Sequence, residues 1–139
     1  MTRSQAREAA FLLTFEKIFN PEESLENLSE WGIKCELFGE DDYTLRLARQ
    51  SFNGRDAADE IITGYARGWR LERLPKVTLA ILRNALAEIL YFEDIPDSVS
   101  VNEAVELAKK YATAEDASFI NGLLGAYIRN ARSGEGNEQ

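Results

Sequence analysis

The sequence has no histidine and one cysteine, Cys35. Without imidazole there is no histidine general base, no Ser–His or Cys–His nucleophile pair and no histidine-ligated zinc. A single thiol makes neither an internal disulfide nor a thiolate metal cluster. Only 3 prolines and 9 glycines interrupt the 139 residues, a density that suits long helices better than many short strands. No stretch of about 18 uncharged apolar residues occurs, so no membrane-spanning helix is expected. Arg3, Arg7 and Glu8 precede the first long apolar run, unlike a secretory leader. A cytoplasmic protein is the expectation.

What remains is ordinary globular material, 45% hydrophobic and 29% charged, enough for one domain with a packed core. The net charge of −8 argues at first against a nucleic-acid partner. Its distribution weakens that argument. Residues 20–60 hold eleven acidic and four basic residues, which is nearly all of the excess, so a neutral or weakly basic face remains available elsewhere.

Apolar periodicity predicts helices throughout. Over 4–19, Ala6, Ala9, Ala10 and Leu13 form one stripe and Phe11, Phe15, Ile18 and Phe19 another, as in a helix buried between neighbours. Asn20-Pro21 ends it. An acidic helix follows over 22–34 with Leu25, Leu28 and Trp31 inward, then helices over 41–52 and 55–67 separated by Asn53-Gly54. Residues 75–93 have almost no polar face, the pattern of a central helix. After the Asp94-Ile95-Pro96-Asp97 turn, Ser100 and Glu103 have capping-box spacing ahead of an amphipathic helix. A last helix spans about 116–131, and 132–139 form a polar tail expected to be disordered. The fold class is therefore all-α, one domain over 1–131, with an N-terminal subbundle over about 1–74 and a C-terminal one over about 75–131.

Chemistry is sparse. Carboxylates are present, but nothing assembles a catalytic site around them, and there is no phosphate-cradling glycine loop. Arg83 and Glu88 interrupt the most apolar helix; they are either buried and paired or mark where it surfaces. Arg67, Trp69, Arg70, Arg73 and Lys76 form the densest basic stretch. It reads as an RNA contact or, as favoured here, as cations at a helix C-terminus with Trp69 and Leu74 in the core. Gly122 weakens a good helix and permits close approach, Asn121 offers donors and an acceptor, and Phe119 is either core or a stacking platform.

Several of these segments, in this order, resemble the NusB antitermination family. They are Ala6-Arg7-Glu8-Ala9-Ala10, Trp69-Arg70-Leu71-Glu72-Arg73-Leu74, Ile81 to Ile89, Asp94-Ile95-Pro96, Val101 to Lys109, and Phe119-Ile120-Asn121-Gly122-Leu123-Leu124. The resemblance runs from residue 3 to about 130, although 20–60 match only in helical character. It implies about seven helices in two small bundles sharing a long central helix. It implies no enzyme activity and no cofactor, but two partners: the boxA segment of nascent ribosomal RNA, as a single strand, and the ribosomal protein NusE. Together they let an RNA polymerase elongation complex read through terminators. By the same resemblance Arg3 and Arg7 hold phosphates and Phe119 stacks a base, with Asn121 and Gly122 nearby. Ser4, Gln5 and Ser118 stand where the family often carries cations. Fewer cations release fewer counterions, so weaker and less salt-sensitive RNA binding is expected. The alternative is a homodimeric protein-interaction module with little or no RNA binding.

Overall fold

A computed structural model describes residues 1–137, with side chains through Ser133. Among the described residues the secondary structure is helical: α1 (Arg3–Phe19), α2 (Leu25–Lys34), α3 (Asp42–Asn53), α4 (Arg55–Tyr65), a 3-10 turn (Leu71–Arg73), α5 (Lys76–Tyr91), α6 (Asp97–Tyr111) and α7 (Ala114–Asn137). No helix among these residues is long and apolar enough to cross a membrane.

Local chemistry sets most boundaries. Thr2 Oγ1 accepts from the Gln5 amide at 3.1 Å while the Thr2 amide donates to Gln5 Oε1 at 2.8 Å, a reciprocal cap that starts α1. Ser24 Oγ accepts from the Asn27 amide at 3.0 Å, so α2 begins at Leu25 and the residues expected to open it at 22–24 form a turn. Asp41 caps α3 through the Tyr43 and Thr44 amides. Thr113 and Asp116 cap α7 reciprocally, with the Asp116 amide 3.0 Å from Thr113 Oγ1.

Ser100 and Glu103 are not the expected capping box. Pro96 and Asp97 open α6 a turn earlier, and Ser100 lies buried inside it, donating to Glu88 Oε1 at 2.7 Å. The last helix also differs from expectation. It continues past 131 to Asn137, and Arg132 grips Asp97 of α6 at 2.9 and 3.0 Å, holding part of the segment expected to be a disordered tail. Residues 138 and 139 of that tail lie outside the described residues.

Two apolar clusters share α5. Leu79, Ile81, Leu82 and Leu86 pack with Phe11, with Ala58 and Ile62 of α4, and with Ile120, Leu123 and Leu124 of α7. Ala87 and Phe92, around the end of α5, pack with Ala6, Ala10 and Leu13 of α1, with Leu25 and Leu28 of α2, and with Leu47 of α3. Helix α4 thus packs into the cluster that also takes in α6 and α7. Arg83 takes the first of its two expected fates: its guanidinium forks onto Asp59 of α4 at 2.9 and 2.7 Å. Trp31 does not point inward as expected; it is 51% exposed.

Candidate nucleic-acid interface

The residues expected to hold RNA divide into three groups. Arg3, at the exposed start of α1, places its guanidinium carbon 3.9 Å from the centre of the Tyr43 ring. That stacking leaves the charge at the surface and limits the rotamers to be ordered on binding.

Arg7 is placed differently from Arg3. It is 6% exposed, its Nε donates to Glu88 Oε2 at 2.7 Å, and its Nη1 lies 3.5 Å from Glu103 Oε1. Burial alone would lower its pKa, but the Glu88 hydrogen bond and charge outweigh this and hold it above the ordinary value. Arg7 therefore ties α1 to the core, with its guanidinium turned away from solvent. Glu88 is its counterpart. Its carboxylate accepts from Arg7 of α1, from the Tyr43 hydroxyl of α3 and from Ser100 of α6. One buried acid on α5 thus ties four helices together, with its oxygens occupied as a buried charge requires. Burial, then the Glu88 hydrogen bond, pushes the Tyr43 phenol up to about 12.

On α7, Phe119 is half-buried and packs against the larger core, with part of its ring left at the surface. Gly122 lies one turn on, exposed, with nothing near the position of an added Cβ. Phe119 and Gly122 thus share a face. Asn121 does not. Two residues from Phe119 it is turned about 200° around the helix, and it lines a groove between α6 and α7 with Asn102, Val105 and Ile128.

The outer side of α1 carries aromatic and charged groups beyond the expected RNA contacts. Phe11, Phe15 and Phe19 form a ladder with ring centres 6.2 and 5.0 Å apart, running from the core to a Phe19 that is 57% exposed. Tyr111, at the end of α6, sits 5.0 Å from Phe11 and is 37% exposed. Glu8 accepts from Lys110 Nζ at 2.6 Å and from the Tyr111 hydroxyl. Burial raises its pKa, yet these two partners prevail and hold it below the usual carboxylate range. Ser4 donates to Glu103 Oε1 at 2.7 Å. The i, i+4, i+8 spacing of the three phenylalanines was visible in the sequence. What it did not show is that the ladder climbs out of the core.

The face that results is aromatic and mixed in charge: Lys109 and Lys110 stand among Glu8, Glu103 and Glu106, while Arg3 stacks on Tyr43 of α3. It offers rings for stacking and a few cations for phosphate, features that suit unpaired bases.

Comparison with known proteins supplies the family. The family model described as NusB family matches residues 4–129. A transcription antitermination protein NusB from Clostridium botulinum is 41% identical over 143 residues, spanning 92% of this chain and 100% of the relative. Another, from Symbiobacterium thermophilum, is 47% identical over 98 residues, 70% of this chain and 64% of that relative. In fold the chain also resembles a chain from the crystal structure of antitermination factors NusB and NusE in complex with double-stranded RNA. The TM-score is 0.80 at 24% identity, covering 92% of this chain and 96% of that one.

Proposed function

The chain belongs to the NusB family, and from that premise we propose that it is a transcription antitermination factor that binds boxA-type single-stranded RNA jointly with NusE. The observation that carries this reading is the match, over the whole length of the relative, to a protein named for antitermination. The geometry agrees with it. Binding and positioning are the activity, exerted on an RNA polymerase elongation complex in the cytoplasm, with no chemical step and no cofactor.

In this reading Arg3 meets a phosphate, and Phe119 stacks a base over the open backbone at Gly122. Tyr111 and Lys110 stand on the α1–α6 side as further contacts. Arg7 contributes from inside, by fixing α1 against α5 and so setting where Arg3 emerges. Asn121 serves the α6–α7 groove and not the base.

The partly neutralised charge keeps a protein-only, homodimeric module in view, because Lys110 is held by Glu8 and Lys109 by Glu106. The relatives' names favour antitermination over it. Fluorescence anisotropy of labelled boxA-type RNA, with and without NusE and at two salt concentrations, decides between them. Binding that strengthens with NusE and weakens with salt is expected. No binding even with NusE would leave the protein-only module.

A further inference from the structure

The connection between α4 and α5 gathers cations that the fold does not use. Ala66 and Leu74 are buried at 3% and 5%, and Leu71 packs against the same cluster, so the segment is pinned to the larger core at both ends. Between the pins Arg67, Trp69, Arg70 and Arg73 are all exposed. The expectation that Trp69 belongs to the core is wrong: it is 58% exposed. Gly68, at φ +76°, makes the turn that brings the indole off the core.

Among the described residues, none of these three arginines makes an ion pair or stacks on a ring. By contrast Arg7, Arg49, Arg83 and Arg132 each hold a carboxylate. A helix C-terminus favours a cation within its last turn. That accounts for Arg67, just beyond Tyr65, but not for Arg70 and Arg73 at the 3-10 turn. In a chain of net charge −8, three guanidiniums without an ion pair on the same short connection as an exposed indole match a ligand with repeated negative charge and flat faces.

We propose that this connection is a second contact for single-stranded RNA, tolerant of sequence, in which Arg67, Arg70 and Arg73 follow phosphates and Trp69 stacks a base. The patch is tied to the helix that carries Phe119. Tyr65 packs edge-on against Tyr127 at 5.9 Å, and its hydroxyl accepts from Asn130 at 2.7 Å. From Phe119 to Tyr127 the rise along α7 is about 12 Å, so a strand leaving the Phe119 face along α7 heads towards the patch.

The chain has 2 tryptophans, so Trp31→Phe leaves Trp69 as its only indole. The full chain carrying that change is titrated with a short oligouridine lacking the boxA sequence, and tryptophan emission is followed. Saturable quenching is expected. Adding Arg67→Gln, Arg70→Gln and Arg73→Gln should abolish it at moderate salt, and any residual binding should show a log–log salt slope shallower by about 2. Trp69→Leu, read by the anisotropy of a labelled oligouridine, should weaken binding about tenfold. These side chains are exposed, so unchanged far-ultraviolet circular dichroism is expected of every variant.

Absent quenching, or quenching that survives the arginine changes, overturns the proposal. So does quenching by NusE with none by oligouridine, which would make the patch a protein contact. Titration with boxA-type RNA keeps the two readings apart. Affinity for boxA without affinity for oligouridine sinks this inference alone; the reverse sinks the boxA assignment alone.

Discussion

Arg7 and Glu88 meet inside the protein, Nε 2.7 Å from Oε2, with side chains 7% and 2% exposed. The pair joins the first helix to the central one across 81 positions of sequence. Removing one partner of a buried pair strands the other charge, at a cost of about 3–5 kcal/mol. Arg7→Ala should therefore lower unfolding stability by about 3 kcal/mol in a urea titration, whereas Arg3→Ala should leave it nearly unchanged and weaken RNA binding. If Arg7→Ala reduced RNA affinity with full stability, the buried pair would not be its role.

The same cluster predicts a response to alkali. Tyr43 has its phenol raised from 10.0 to about 12. A raised folded-state pKa means that the folded chain keeps a proton the unfolded chain has released. The stabilisation is complete below pH 10 and is lost as pH rises from 10 to about 12. At about 1.4 kcal/mol per unit the loss is on the order of 3 kcal/mol. Tyr43→Phe should be less stable at neutral pH and should lose less stability than the parent between pH 9 and 11. Parallel stability curves for the two proteins would show that Tyr43 does not titrate in this way.

How far the molecule was legible follows from which signals are local. Helical periodicity placed the helices to within a turn or so at most boundaries, because the core face of a helix is written in its own residues. Glu88 stood out as a charge in the most apolar helix, and its burial and pairing were one of the two expected readings. Its partner was not legible, because Arg7 sits in an arm that looks solvent-facing until α5 is laid against it. Trp31 was expected inward from its spacing with Leu25 and Leu28, and Trp69 as core material at a helix end, and both point outward. For large side chains near helix ends the local pattern does not choose the side; Gly68 and the short 3-10 turn do. Ser100 had the right spacing for a cap, but proline and aspartate at 96 and 97 started the helix first.

Phe119 straddles core and surface, and a substitution there should have two effects. Phe119→Ala removes a stacking ring worth about 1–3 kcal/mol per base, so boxA affinity should fall tenfold or more. It also uncovers part of the larger cluster, so the unfolding midpoint should drop by several degrees with the helical spectrum retained. A lower midpoint with unaltered RNA affinity would assign Phe119 to packing alone.

Gly122 separates folding from binding most cleanly. It lies in the interior of α7, exposed, with no neighbour within 4 Å of an added Cβ. A glycine in a helix interior costs roughly 0.5–1 kcal/mol relative to alanine, so by folding alone alanine is the better residue. Gly122→Ala should raise stability by about that amount in a urea titration. The same methyl group would project into the space above the backbone next to Phe119, where the proposed RNA site needs a base or sugar to approach closely. RNA affinity should therefore fall several-fold in a protein that is harder to unfold, a combination that loss of structure cannot produce. A stabilised variant with unchanged affinity would mean that no ligand approaches this face, and the RNA site would then have to lie towards Tyr111 and the phenylalanine ladder.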